Sequence, residues 1–116
     1  MRMLMGALSM AMLAGCASPA MDEARNKSPV RVLASDKAMP LVAECIQFSW
    51  QDEAVFGVDA SGYITTDKAG KMTVYTRGGD YFTDLQPQGT GTSARYYAPQ
   101  SDAVAMRRLA ALATCL

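Results

Sequence analysis

Histidine is absent from all 116 residues of the sequence. This absence removes the usual general base near neutral pH, the commonest zinc ligand and the central residue of Ser-His and Cys-His triads. The sequence also contains no Walker loop and no Gly-x-Ser-x-Gly, Ser-x-x-Lys or Cys-x-x-Cys motif. We therefore predict that the protein is not an enzyme and that it uses no cofactor and no metal ion.

The sequence has no excess of charge of either sign, since 11 basic residues balance 11 acidic ones. Lys and Arg are dispersed along the chain, and only Arg107 and Arg108 are adjacent. Nucleic-acid binding depends on clustered cations that replace the counterions of the phosphates. The sequence therefore predicts no nucleic-acid partner.

The longest apolar run lies near the start of the chain, from Met3 to Ala14, and follows Arg2. A helix needs about 20 apolar residues to cross a bilayer, so this run is too short to span one. A short apolar run behind a positive residue is typical of a cleaved signal peptide. We therefore predict a signal peptide over residues 1–15.

The four residues Leu13-Ala14-Gly15-Cys16 resemble the bacterial lipobox. This resemblance implies that Cys16 carries lipid and anchors the chain to a membrane. In lipobox proteins an Asp after the Cys favours retention in the inner membrane, so Ala17 implies the outer membrane, facing the periplasm. The alternative is that Cys16 is an ordinary residue of a secretory signal.

Residues 16–29 show no apolar periodicity and contain Pro19 and Pro29. We predict that they form the lipidated N-terminus and a flexible tether, which leaves residues 30–116 as a single domain.

The domain sequence begins with a strand pattern over residues 30–34. A helix follows, with an apolar face of Leu41, Cys45 and Phe48, joined by Val42, Ile46 and Ser49. Ser101-Asp102 then caps a closing helix. Between the helices the period changes to two, and five strand candidates are Val55–Val58, Tyr63–Thr66, Met72–Arg77, Tyr81–Gln86 and Thr92–Tyr97.

Turn residues separate the strand candidates, and Gly78-Gly79 is expected to form a two-residue hairpin turn. We predict an α+β fold in which an antiparallel sheet of three to four strands carries two helices packed on one face.

Cys45 and Cys115 are the only cysteines left if Cys16 is lipidated. In an oxidising periplasm we expect them to form a disulfide that ties the two helices together. The competing interpretation is a free nucleophilic thiol, for which the sequence offers no partner base.

The tyrosines and the carboxylates are the remaining candidates for function. Strand alternation places some tyrosines on the outer face of the sheet, and we predict an interaction face formed by Tyr75, Tyr81 and Tyr96. Aromatic pairing within the sheet is the alternative explanation. Six acidic residues lie in the central region, at Asp52, Glu53, Asp59, Asp67, Asp80 and Asp84.

The layout resembles short bacterial and prophage-associated lipoproteins of uncharacterised function. The lipobox carries this resemblance together with Ala43-Glu44-Cys45-Ile46, Trp50-Gln51 and the terminal Cys115-Leu116. It implies a non-catalytic binding or scaffolding module of the cell envelope, with a protein or glycan partner. Size, one disulfide and Thr76-Arg77-Gly78 are similar to lysozyme-inhibitor lipoproteins, which gives a first alternative. The acidic residues give a second, a small carboxylate-dependent hydrolase.

Overall fold

The structure, a computed structural model, describes residues 19–53 and 61–116. In this part of the chain the strands form one antiparallel sheet, and the helices pack against it. The helices of this part are α1 (Pro19–Arg25), α2 (Met39–Gln51) and α3 (Ala103–Ala113). The strands are β1 (Arg31–Ser35), β2 (Tyr63–Thr66), β3 (Met72–Tyr75), β4 (Phe82–Gln88) and β5 (Gly91–Tyr97). The predicted α+β class and antiparallel sheet are confirmed.

The sheet has five strands in the order β1-β5-β4-β3-β2, so the predicted number of three to four was too low. Strands β2 to β5 form a meander, and β1 lies beside β5 with Val32 opposite Arg95. These two strands are about 60 residues apart in sequence. Such a distant pairing leaves no local signal, because hairpin turns specify only consecutive strands. The strand predicted at Val55–Val58 lies outside the described residues.

The hairpin turn predicted at Gly78-Gly79 has a different structure. The connection between β3 and β4 covers residues 76–81 and contains a single 3-10 turn at Arg77–Gly79. Thr76 closes this connection, since its hydroxyl accepts the backbone N–H of Tyr81 at 3.3 Å. Gly78 and Gly79 both take the positive φ values expected of them, +81° and +76°.

The main core lies between the sheet and the pair α2 and α3. Its fully buried members include Trp50 and Tyr96, whose rings meet edge to face with centroids 6.3 Å apart. Both polar tips have backbone partners: Trp50 Nε1 donates to the carbonyl of Arg108 at 3.0 Å, and the Tyr96 hydroxyl donates to that of Ala105 at 2.8 Å. These bonds remove the penalty of burying unpaired polar atoms.

The predicted disulfide is confirmed, and it joins Cys45 of α2 to Cys115 just beyond α3. Cys115 is 1% exposed and lies within the main core, so the bond ties the two helices at their inner side. A loop of 70 residues separates the two cysteines in sequence.

The apolar face predicted for α2 is partly wrong, because Leu41 and Phe48 are 62% and 54% exposed. The buried stripe is Val42, Ala43, Ile46 and Trp50. Both stripes have helical spacing, so periodicity alone does not distinguish them. The packing of α2 against both β3 and α3 decides which stripe is buried.

Helix α1 is the main departure from the predicted fold. Residues 16–29 were predicted to form a tether, but Pro19–Arg25 is helical and packs on the sheet face opposite α2 and α3. Met21 is 2% exposed and contacts a small cluster with Phe82 and Tyr97. One buried methionine does not create a helical hydrophobic pattern, which explains why the sequence suggested a tether. The helices therefore lie on both faces of the sheet.

We expect the double variant Cys45→Ala/Cys115→Ala to lose about 4 kcal/mol of unfolding free energy, from the chain entropy released when a loop of this length is opened. Chemical denaturation followed by Trp50 fluorescence measures the loss. Adding a reductant should destabilise the wild type by a similar amount and leave the double variant unchanged. A change below about 1 kcal/mol would contradict a stabilising role for the bond.

Candidate functional site

The face of the sheet opposite α2 and α3, called here the outer face, carries its side chains in two ordered rows. The strand register places four aromatic residues of neighbouring strands opposite one another: Tyr63, Tyr75, Phe82 and Tyr97. The next row along the strands on the same face is polar from β2 to β5, with Thr65, Thr73, Asp84 and Arg95, and ends at Val32 of edge strand β1. The outer face is therefore divided into an aromatic half and a polar half.

Helix α1 covers one side of the aromatic half, where Met21 contacts Phe82 and Tyr97, while Tyr63 at the other side is 41% exposed. The rings of Phe82 and Tyr97 are stacked with centroids 4.7 Å apart, and those of Tyr63 and Tyr75 are 5.5 Å apart. Contacts of this kind stabilise the sheet without any partner. The aromatic half therefore has a structural role at its α1 side.

The polar half remains open and forms a shallow concavity of about 470 Å³. Strands β2 to β5, the turn between β2 and β3, and Arg25 of α1 contribute its walls and floor. Its lining residues are Arg25, Thr65, Asp67, Lys71, Thr73, Asp84, Leu85, Gln86, Arg95 and Tyr97. We take this concavity, called here the outer-face concavity, as the candidate functional site.

A network around Asp84 fixes the centre of the concavity. Arg25 Nε donates to Asp84 Oδ2 and Arg25 Nη2 donates to Asp84 Oδ1, both at 2.8 Å. The hydroxyl of Thr73 donates to Oδ1 at 2.8 Å as well. The hydrogen bond to Asp84 is the largest cause that raises the pKa of Arg25 above its ordinary value. A bidentate charge-assisted pair of this kind is both strong and directional.

Arg25 also connects the two halves of the outer face. Its guanidinium carbon lies 5.0 Å from the centroid of Phe82, a cation–π distance, and its Nη1 donates to Asp22 at 3.1 Å. The same side chain thus secures α1 to the aromatic half and supplies the polar half with its central ion pair.

Two further cations line the outer-face concavity. Arg95 lies directly opposite Asp84 in the strand register, and Lys71 lies at the turn between β2 and β3. Within residues 19–53 and 61–116, no carboxylate lies within ion-pair distance of either one. The Asp84 oxygens that face Arg95 across the ladder are already engaged by Arg25 and Thr73.

The predicted interaction residues do not form one surface. Tyr75 lies on the outer face, but Tyr96 is fully buried in the main core. Tyr81 contacts Arg108 of α3, with 4.9 Å between the ring centroid and the guanidinium carbon, so it belongs to the helix-bearing side. The predicted face of Tyr75, Tyr81 and Tyr96 is therefore wrong. Cys16, the predicted lipidation site, lies outside the described residues.

The outer-face tyrosines that the sequence did not single out are Tyr63 and Tyr97. Alternation correctly indicated that Tyr96 and Tyr97 point to opposite faces but could not show which face is closed. Arg25 was missed because it fell in the predicted tether. Asp84 was noticed only as an acidic residue and Arg95 gave no signal, since their relation depends on the register of two strands.

Of the acidic residues considered for catalysis, Asp67 and Asp84 line the concavity. Asp67 accepts the backbone N–H groups of Ala69 and Lys71, both at 2.9 Å, so it shapes the turn before β3. Asp59 lies outside the described residues. Asp84 is held by Arg25 through two charge-assisted hydrogen bonds.

Glu53 is a buried carboxyl at a different place, beside α3. It is 4% exposed, and its oxygens accept no hydrogen bond from the described residues. Burial raises the pKa of Glu53, and the positive charges of Arg108 and Arg107 offset part of that rise. Asp52 and Glu53 line a shallow groove between α2 and α3, on the side of the sheet away from the outer-face concavity.

Comparison of the chain with protein-family models, curated proteins and solved structures finds no match. Across the described ranges, no three acidic or cysteine side chains are grouped closely enough to hold a metal ion. None of the helices α1 to α3 is long and apolar enough to cross a membrane.

We expect Arg25→Ala to detach α1 from the sheet at a cost of about 1 to 3 kcal/mol, because the variant loses its charge-assisted bonds to Asp84. Hydrogen exchange should become faster at the amides of α1 while those of β4 and β5 stay protected. Lys27→Ala, which removes an exposed charge just after α1, is the matched control and should exchange like the wild type. Equal protection of α1 in both variants would contradict this role of Arg25.

The raised pKa of Glu53 predicts a pH-dependent stability. The folded chain holds a proton on Glu53 that the unfolded chain releases near pH 4.5, so ionisation destabilises the fold as pH rises above that value. We therefore expect Glu53→Gln to be more stable than the wild type at pH 7, with a smaller difference at pH 4. Denaturant titrations at both pH values measure it.

Asp52→Asn is the control for this pH effect, since Asp52 is the exposed neighbour of Glu53. Asp52→Asn should lack the gain in stability at pH 7, because it removes an exposed carboxyl rather than a buried one. If the extra stability of Glu53→Gln over the wild type grew on acidification, the raised pKa of Glu53 in the folded chain would be contradicted.

Proposed function

We propose that this chain is a membrane-anchored lipoprotein facing the periplasm, and that it acts as a non-catalytic binding module of the cell envelope. The outer-face concavity is the observation that carries this proposal. It is open, rigidly floored by four strands, and lined by charged and hydroxyl side chains. Surfaces of this kind suit the recognition of a polar partner.

The lipobox supports the lipid anchor, and the position of α1 limits how far the domain can lie from that anchor. Pro19, the first residue of α1, follows Cys16 by three positions. Three residues span at most about 10 Å of extended chain. A lipid on Cys16 would therefore hold α1 and the outer face of the sheet near the membrane surface. This arrangement differs from a domain on a long tether, because it limits which partners reach the concavity.

The lack of histidine and the state of Asp84 support a binding role rather than catalysis. Asp84 is engaged by three hydrogen bonds, and Asp67 is committed to a turn. A positioned, rigid ion pair favours recognition, since it costs little to organise when a partner binds.

A carboxylate-dependent hydrolase is the second candidate, and Glu53 is the residue that favours it. A carboxyl with a raised pKa is the usual general acid of such enzymes. Glu53 has that property, with Asp52 on the same groove. A lysozyme inhibitor is a narrower form of the binding proposal, for which the exposed Arg77 and Gly78 of the β3–β4 connection would be the contact.

The test places a photoreactive amino acid at Gln86, which lines the concavity, or at Glu44, an exposed position on α2. We expect crosslinks to an envelope component from position 86 and none from position 44 in cells of the native host. Mass spectrometry of the same material should show an acylated Cys16 as the N-terminus. Cys16→Ser should abolish both the acylation and the crosslinks from position 86, because it removes the anchor.

An unacylated N-terminus would contradict the anchor, and equal crosslinking from both positions would contradict the assignment of the binding surface. A Glu53→Gln variant that loses a hydrolytic activity present in the wild type would favour the second candidate.

A further inference from the structure

We propose that the outer-face concavity binds a carboxylate-bearing saccharide, with Arg95 and Lys71 as the two residues that recognise its acidic groups. This inference rests on the proposed binding function and names its ligand class. Three observations carry it: a cation whose nearest carboxylate is already engaged, a second cation on a fixed turn, and a polar floor between them.

Arg95 is the first of these observations. A cross-strand pair of opposite charges normally forms an ion pair, and Asp84 is the residue opposite Arg95. Both oxygens of Asp84 are instead bonded to Arg25 at 2.8 Å. The guanidinium of Arg95 is exposed and lines the concavity. Because guanidinium binds carboxylate in a bidentate geometry, Arg95 is suited to take a carboxylate from a ligand.

Lys71 is the second observation. The turn that carries it is closed by three bonds of 2.9 Å: Asp67 Oδ1 accepts from Ala69 and from Lys71, and the Asp67 N–H donates to the carbonyl of Lys71. Lys71 directly precedes β3, and β4 separates β3 from β5. Two strand spacings amount to about 10 Å, so the backbones that carry Lys71 and Arg95 lie about that far apart across the sheet.

The surface between the two cations favours a saccharide over a peptide. Thr65 and Gln86 present a hydroxyl and an amide there, which match the hydroxyls of a sugar, while the hydroxyl of Thr73 is already bonded to Asp84. Leu85 and Tyr97 also line the concavity, but Leu85 is fully buried and Tyr97 is 6% exposed. A peptide would need apolar pockets for its side chains, and the two apolar side chains of this lining are buried instead.

The test is calorimetric titration of the chain, purified in detergent from the native host, with a galacturonic acid oligomer. Neutral galactose oligomer of the same length and oligoglutamate are the comparison probes. We expect the acidic saccharide to bind and the neutral one not to bind, and we expect added salt to weaken the acidic complex. Oligoglutamate should bind at least tenfold more weakly than the acidic saccharide, because it lacks the hydroxyls that the floor recognises.

Arg95→Gln should weaken binding of the acidic saccharide about tenfold, since it removes a charge-assisted pair. Lys71→Gln should weaken it less, and the double variant more than either. Arg31→Gln is the matched control, because Arg31 is exposed on edge strand β1 in a row that belongs to the opposite sheet face. It should bind like the wild type. Circular dichroism establishes that each variant is folded.

Equal binding of acidic and neutral saccharides, stronger binding of oligoglutamate, or unchanged affinity in the double variant would overturn this inference. These outcomes are separate from failure of the proposed function. If the concavity crosslinks a partner and Cys16 is acylated while galacturonate does not bind, the ligand class is wrong and the binding module remains. If galacturonate binds through Arg95 in a chain without acylation, the anchor is wrong and the ligand class remains.

Discussion

The hydrogen-bonded ion pair between Arg25 and Asp84 is the interaction on which the outer face depends. It joins the last residue of α1 to the central strand β4, and its partner atoms are only partly exposed, at 31% and 24% of their side chains. In such surroundings the pair is stronger than a surface ion pair, and it is directional. It places α1 on the aromatic half of the face and leaves the polar half open.

The same pair determines the charges of the outer-face concavity. Because Arg25 engages both oxygens of Asp84, Arg95 has no ion pair with the residue opposite it. Asp84 lies opposite Arg95 of β5 but forms its ion pair with Arg25 of α1. The concavity thus combines one ion pair with two cations, Arg95 and Lys71, that form no ion pair with any of the described residues.

The opposite face of the sheet is stabilised differently, by burial of apolar side chains together with a disulfide. Trp50, Tyr96 and the apolar stripes of α2 and α3 form the main core, and the Cys45–Cys115 bond fixes the two helices there. A domain of about 100 residues has a small margin of stability, so a bond that restricts the unfolded chain contributes a large share.

The sequence by itself determined the class of fold, the strands of the meander, the cap of α3 by Asp102 and the pairing of the two cysteines, because these depend on local periodicity, turn chemistry or the count of thiols. The Asp102 side chain does accept the N–H of Ala105, at 2.8 Å. Only the tertiary structure decided the pairing of β1 with β5, the buried stripe of α2 and the docking of α1. It also decided which tyrosines face outward and which cation stands beside Asp84. These features depend on contacts between residues far apart in the chain, and no local pattern encodes strand register or the choice between two equally spaced helix faces.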